Sequence, residues 1–204
     1  MAQPVNVYAE STPNPAALKF VSSRMLLSEG SVEYASALEA SICPLAQGMF
    51  SFSGVKSVFI SSNFITVTKE GELDWYEISN ILREYIRGFL MSDEKVFLSN
   101  PFPSAETAPL RSQEIASEEQ PDHDDALISK IVAMLEEYVS PAVAQDGGEI
   151  RFRSFKDGVV TVALRGSCSG CPSSSLTLKS GIENLLKNMI PEVKEVVAEA
   201  DANP

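Results

Sequence analysis

A low-complexity segment divides this chain into two parts, and each part must therefore form its own core. Residues 99–125 read SNPFPSAETAPLRSQEIASEEQPDHDD, with four prolines, seven acidic residues, a single arginine and no apolar periodicity. Such a segment cannot bury enough apolar surface to fold alone, so it predicts a flexible, extended linker. We expect one domain at residues 1–98, a linker at 99–123 and a second domain at 124–204.

The composition fits two small domains and excludes some functions. The chain has 204 residues, of which 44% are hydrophobic, and a formal net charge of -12. An acidic surface repels phosphate backbones, so we expect no nucleic-acid partner. The first ten residues, MAQPVNVYAE, show neither the basic nor the apolar region of a signal peptide, and no stretch is long and apolar enough to span a membrane. We therefore expect a cytoplasmic protein without a membrane partner.

The first part alternates strand patterns with one amphipathic helix. Strands are predicted at residues 6–10 and 18–21, with a break at Thr12-Pro13-Asn14-Pro15, and a hairpin at 55–60 and 64–69. Asp74 and Glu77 form a capping pair at the start of a helix. The apolar face of that helix is expected to comprise Trp75, Ile78, Ile81, Leu82, Tyr85, Ile86 and Phe89.

The second part follows the order α-β-β-α-β. A helix ends before Pro141, the Asp-Gly-Gly sequence at 146–148 makes a turn, and strands at 149–155 and 159–165 flank a hairpin turn. A helix at 172–189 and a last strand at 193–198 complete the pattern. The inward residues of the two helices are expected to be Leu127, Ile128, Ile131, Val132, Leu135, Tyr138 and Val139 in the first, and Leu178, Ile182, Leu185, Leu186 and Met189 in the second. We predict an α+β fold for the chain, with one sheet covered by two helices in the second domain.

Two cysteines in the loop at 166–172, GSCSGCP, carry the chemistry. A spacing of two residues lets the sulfur atoms of Cys168 and Cys171 face one metal centre, and the glycines let the backbone bend toward them. Pro172 is favoured at the first helical position, so Cys171 is expected at the N-cap, where the helix dipole favours the thiolate. The positive charge of Arg165, which is nearby in the sequence, would also favour the thiolate.

Three interpretations of this pair remain open. A thioredoxin-like redox pair also lies between a strand and a helix, but only 33 residues follow Cys171, too few for the rest of that sheet. A structural zinc site needs four ligands. The single histidine, His123, lies in the acidic segment and is expected to be solvated, and Cys43 has an apolar context typical of a buried thiol.

The third interpretation is an iron–sulfur cluster shared between two copies of the chain. A cluster normally takes four cysteine ligands, and a two-fold axis would place two identical loops opposite each other. A cluster held between two exposed loops would be easily released by ligand exchange. The residues therefore favour a binding-and-transfer protein over an enzyme, with a thiol-disulfide oxidoreductase as the alternative and a zinc-linked interaction dimer as the third possibility.

The sequence also resembles the NifU-like (Nfu) family of iron–sulfur scaffold and carrier proteins. In the second part the resemblance rests on PAVAQDGGE at 141–149 and GSCSGCPSSSLTLKSGIENLLKNMIPEVKEV at 166–196. In the first part it rests on STPNPAALKFV at 11–21, GSVEYASALEA at 30–40 and PLAQGMFSFSGVKSVFISSNFITVTK at 44–69. Ser140 stands where the family frequently has an arginine, which we expect to alter the helix end but not ligation.

The resemblance implies a specific cargo and partners. It implies a 4Fe-4S cluster bridged between two subunits, with Cys168 and Cys171 of each chain as ligands. It further implies a homodimer, apo iron–sulfur proteins as recipients and cluster-assembly proteins upstream. The first domain is then expected to dock partners.

Overall fold

The computed structural model describes residues 4–71, 74–92, 94–102, 121–169 and 172–200, with the backbone alone at 121–125, 172–176 and 200. Most of the predicted linker, residues 103–120, lies outside the described residues, and so does the side chain of His123. None of the described helices is long and apolar enough to cross a membrane. The chain is α+β with two sheets, as the sequence predicts.

The first part is a five-stranded antiparallel sheet covered by helices on one face. The strands are β1 (Val7–Ser11), β2 (Ala17–Ser22), β3 (Ser31–Tyr34), β4 (Val55–Ser61) and β5 (Phe64–Lys69), and the helices are a 3-10 turn (Glu39–Ile42), α1 (Pro44–Met49) and α2 (Trp75–Met91). The order across the sheet is β1-β2-β5-β4-β3.

The core of the first part lies between the sheet and its helices. Phe20, Ile60 and Ile65 from the strands meet Leu45 and Leu82 from the helices, all almost fully buried. Cys43 is fully buried in the same core, as predicted, and burial raises the pKa of its thiol to about 11. The predicted apolar face of α2 is correct except at Ile81, which is 55% exposed.

The second part is a three-stranded sheet with helices packed on it, in the predicted order α-β-β-α-β. The elements are α3 (Pro121–Met134), a π-helical turn (Leu135–Val139), α4 (Ser140–Gln145), β6 (Gly148–Lys156), β7 (Val159–Gly166), α5 (Pro172–Met189) and β8 (Glu195–Ala200). The strands lie in the order β6-β7-β8, with β6 and β7 antiparallel and β8 parallel to β7.

The prediction that the first of these helices ends before Pro141 is wrong. The helix widens into the π-helical turn and continues as α4, with Pro141 in the first turn of α4. Proline lacks a backbone N–H, and the first turn of a helix is where that group has no intrahelical acceptor. Tyr138 and Met189, both expected to point inward, are 52% and 47% exposed.

Both ends of the predicted linker have described structure. The helix α3 begins at Pro121, inside the proposed 99–123 segment, and Phe102 packs against the core of the first part beside Gly30. The second part has its own core, centred on Ile131, Val162 and Leu186. On the basis of these two separate cores, we propose that the domains are residues 1–98 and 124–204.

Candidate functional site

The described half of the cysteine pair lies directly after a strand of the second sheet. Cys168 follows β7 by two residues and is 8% exposed. Ser169 closes the bend, because its amide and its hydroxyl both donate to the carbonyl of Gly166, at 3.1 and 2.8 Å. Cys171 and Gly170 lie outside the described residues, so the second predicted ligand and its expected N-cap position stay predictions.

The Asp-Gly-Gly turn is hydrogen-bonded to this loop. The amide of Ser167 donates to the carbonyl of Gly147 at 3.2 Å, and its hydroxyl donates to the carbonyl of Asp146 at 2.6 Å. From sequence alone, residues 146–148 could be a simple turn or could shape the cysteine loop. The structure favours the second role, since the turn and the loop form one hydrogen-bonded unit.

Two glycines allow the turn and the loop to approach so closely. A methyl group on Gly148 would lie 2.8 Å from Sγ of Cys168 and 2.8 Å from the carbonyl oxygen of Arg165. Gly166 has a φ of +65°, and a methyl group there would lie 2.6 Å from the carbonyl oxygen of Gly147. These contacts are shorter than side-chain carbons normally make, so both positions require glycine.

The environment of Cys168 favours the thiol over the thiolate. Burial raises its pKa, the charge of Asp146 acts in the same direction, and the hydroxyl of Ser167, 3.8 Å from Sγ, opposes both. Arg165, expected from the sequence to favour a thiolate, instead shares its surroundings with the carboxylates of Glu33 and Glu149. A buried thiol of raised pKa is a poor nucleophile until the loop opens or a metal displaces its proton.

Residues of the first part also reach the loop, and the sequence analysis did not anticipate them. Asn14 donates from Nδ2 to the carbonyl of Ser167 at 2.9 Å, and Thr66 donates from Oγ1 to the carbonyl of Gly147 at 2.6 Å. The amide of Gly166 donates to Oε2 of Glu33 at 3.2 Å, and burial raises the pKa of that carboxyl. A weak signal for these contacts was present in β4, where Val58, Phe59 and Ile60 are consecutive and therefore place apolar side chains on both faces of the sheet.

A cavity of about 390 Å³ lies beside Cys168 where the two parts meet. Its walls include Pro13 and Asn14 from the first part and Asp146, Ser167 and Leu178 from the second. Cys168, which is 8% exposed, therefore adjoins a cavity with walls from both parts.

Two family models match the chain, one over each part. The model described as "Scaffold protein Nfu/NifU N terminal" matches residues 7–93, and the "NifU-like domain" model matches residues 131–197. The five-stranded sheet falls within the first of these matches, and β6, β7, Cys168 and the start of β8 fall within the second.

Relatives match over almost the whole chain. The human protein named "NFU1 iron-sulfur cluster scaffold homolog, mitochondrial" is 39% identical over 93% of this chain and 70% of its own length. NifU-like protein 4, mitochondrial, from Arabidopsis thaliana is 36% identical over 96% of this chain and 66% of its own. A solution structure of a NifU-like protein from Saccharomyces cerevisiae is 27% identical, with a TM-score of 0.43, over 48% of this chain and 88% of that one.

The chain belongs to the Nfu/NifU scaffold protein family, as the sequence motifs predicted. The expected cytoplasmic location is wrong, because the relatives matching most of the chain are named as mitochondrial proteins. That expectation rested only on a feature missing from the first ten residues, which is a weak basis for assigning a compartment.

Proposed function

We propose that this protein is an iron–sulfur cluster scaffold and carrier that receives a cluster as cargo and passes it to apo-proteins. The observation that carries the proposal is the placement of Cys168, at the end of β7 in a loop hydrogen-bonded to the Asp-Gly-Gly turn. The proposal is further supported by membership of the family and by the human relative, whose name describes an iron–sulfur cluster scaffold.

We further propose that Cys168 and Cys171 ligate a 4Fe-4S cluster shared by two copies of the chain. One loop offers two thiolates and a cluster takes four, so two loops complete the ligand set. Identical loops meet naturally across a two-fold axis, which makes the cluster itself part of the homodimer interface. Cluster-assembly proteins then act as donors and apo iron–sulfur proteins as recipients, and the activity is binding and transfer, not catalysis.

Such a site suits transfer because each chain holds the cluster through only two sulfur atoms. A recipient's thiolates can replace these sulfur atoms stepwise by ligand exchange. A displaced thiolate of Cys168 that returns to its buried position is favoured in the protonated form, since burial there raises its pKa. The loop residues therefore contribute to release as well as to binding.

Serine substitutions at the three cysteines test the ligand assignment. Cys168→Ser and Cys171→Ser should each abolish stable cluster binding and cluster-dependent dimerisation. A dimer of two variant chains keeps only two of the four cysteine ligands, and a dimer of one variant and one native chain keeps three. Cys43→Ser is the matched control, since its thiol is buried in the other core. Reconstituted protein is assayed by its absorbance near 400 nm, the region expected for cluster sulfur-to-iron bands.

Loss of the cluster in the Cys43 variant alone would contradict the assignment. One zinc per two chains, with no iron after anaerobic reconstitution, would instead support a zinc-linked dimer. Reduction of insulin disulfides by a colourless protein would support thiol-disulfide chemistry.

A further inference from the structure

The sheet of the first part is buried on both faces, although its helices cover only one. Alternate residues of a strand point to opposite faces. Phe20, Ile60 and Ile65 face the helices. Their neighbours face away from the helices and form what we call the docking face: Lys19, Val21, Glu33, Phe59, Phe64 and Thr66.

Apolar and polar residues of the docking face are buried alike. Val21, Phe59 and Phe64 form a small hydrophobic cluster of their own, with Phe59 fully buried. Thr66 is fully buried and Lys19 is 8% exposed, with Nζ lying over the ring of Phe64. A two-layer domain with no further contact would leave such a face in water, so another layer must cover it.

The covering layer is the cysteine loop with its Asp-Gly-Gly turn. The contacts made by Asn14, Glu33 and Thr66 all end on backbone atoms of this loop or turn. Lys19 adds a hydrogen bond from Nζ to the carbonyl of Gln145 at 3.0 Å. Because backbone atoms are the partners, the docking face recognises the shape of the loop more than its side chains.

A polar contact extends the interface beyond the loop. The hydroxyl of Ser31 donates to the carboxylate of Glu149, and Arg151 donates to that hydroxyl at 3.2 Å while pairing with Glu149 at 3.0 Å. Gly166, which must be glycine for the loop to bend, also lies against Phe59: a methyl group there would be 3.0 Å from the phenylalanine ring. The first part thus contacts both the start of the cysteine loop and the strand that follows the Asp-Gly-Gly turn.

We propose that the docking face is a binding surface for the metal-free cysteine loop of the same chain, and that docking excludes sharing of a cluster with a second copy. Cys168 packs in the second core and is 8% exposed, and Pro13 and Asn14 of the first part line the space beside it, whereas a bridged cluster requires the sulfur atoms to meet those of another chain. The docked form is therefore the unloaded state, and loading requires the first domain to leave the loop. The binding of the loop to the docking face is independent of the proposed function, and only the exclusion of cluster sharing rests on it.

The covering is tested on metal-free protein by the modification rate of Cys168. In a Cys171→Ser background, a maleimide carried on a polyethylene glycol chain should react slowly while the loop is docked, because Cys168 is then only 8% exposed. Thr66→Arg places a long charged side chain where Oγ1 is 2.6 Å from the carbonyl of Gly147, so docking should be lost. We expect modification to accelerate about tenfold or more, the factor that corresponds to about 1.4 kcal/mol.

Thr68→Arg is the matched control. Thr68 lies two residues further along β5 on the same face, is half-buried, and makes no hydrogen bond to the second part within the described residues. Its variant should change the rate less than about twofold, which is below the net contribution of one hydrogen bond. Fluorescence of Trp75, the single tryptophan, reports whether each variant's first part is folded. If Thr66→Arg does not fold, Thr66→Val and Thr68→Val replace the pair and decide the question in the same way.

Equal modification rates in the two folded variants would overturn the docking surface. The exclusion is tested separately by cluster loading with both native cysteines: Thr66→Arg should load faster than Thr68→Arg, by about the same factor as for modification. Equal loading rates would overturn the exclusion while leaving the surface intact. If no variant acquires a cluster, the proposed function fails and the modification result stands independently.

Discussion

Gly148 is the residue at which local geometry most directly limits the site. A side-chain carbon there would meet Sγ of Cys168 and the carbonyl of Arg165, each at 2.8 Å, and one of these is backbone that cannot move aside easily. The Asp-Gly-Gly turn is therefore as much a part of the cysteine loop as the cysteines are. We infer that its glycines are needed for the position of Cys168.

Gly148→Ala should destabilise the second part by about 1–3 kcal/mol, the usual cost of forcing an extra methyl group into a packed site. Gly181→Ala is the control, because a methyl group in that part of α5 meets nothing within 4 Å. In a helix interior the same change should stabilise by about 0.5–1 kcal/mol. Urea denaturation monitored by circular dichroism measures the free energy of unfolding of both variants. Equal effects of the two substitutions would contradict the packing described for Gly148.

At the level of elements, the sequence predicts those with a strong local pattern. The hairpin β4–β5, the helix α5 and the turn between β6 and β7 follow from apolar periodicity and from Asp157-Gly158, both of which have positive φ. The short elements β3 and α1 were not predicted, because four to six residues carry too little periodicity to distinguish a strand or helix from a loop. Their place is set by pairing and packing with distant residues.

Local sequence patterns predicted one part of the candidate site and could not predict the other. Cys168 and its loop were predicted because spacing, glycines and Pro172 are local features. The contacts of Asn14, Glu33 and Thr66 join residues more than 80 positions apart, and no local pattern specifies such pairs. Tyr138 was misassigned because the π-helical turn shifts the helical register from Leu135 onward.

The start of α2 depends on a single side chain. Asp74 is the N-cap, and its Oδ1 accepts from the amide of Tyr76 at 3.0 Å. Asp74→Ala should lower the free energy of unfolding of the first part by about 0.5–2 kcal/mol, whereas Asp74→Ser should restore most of it, since serine caps comparably. Fluorescence of Trp75 during denaturation measures this free energy of unfolding directly. An alanine variant as stable as the serine variant would contradict the capping role.

The whole molecule comprises two cores that meet at the cysteine loop. Each core is a separate hydrophobic cluster, and the contacts between them are mainly hydrogen bonds around a small apolar centre. Interfaces of this kind separate more readily than cores unfold. We therefore expect the molecule to open without losing either fold.

A fragment of residues 121–204 should fold on its own and, under the proposed function, bind a cluster without the first domain. It contains all of the second core and begins where α3 begins. Circular dichroism and amide proton NMR dispersion measure its folding, and iron content after reconstitution measures binding. An unfolded fragment would contradict the division into two domains, whereas a folded fragment without iron would contradict only the proposed ligands.

Anaerobic reconstitution of the full chain with iron and sulfide is the most direct test of the central proposal. Iron, sulfide and protein are quantified on the peak from size-exclusion chromatography. We predict a dimer that carries about four iron and four sulfide, with a broad absorbance band near 400 nm, the content expected of one 4Fe-4S cluster held by four cysteine ligands. A colourless monomer without iron would contradict it.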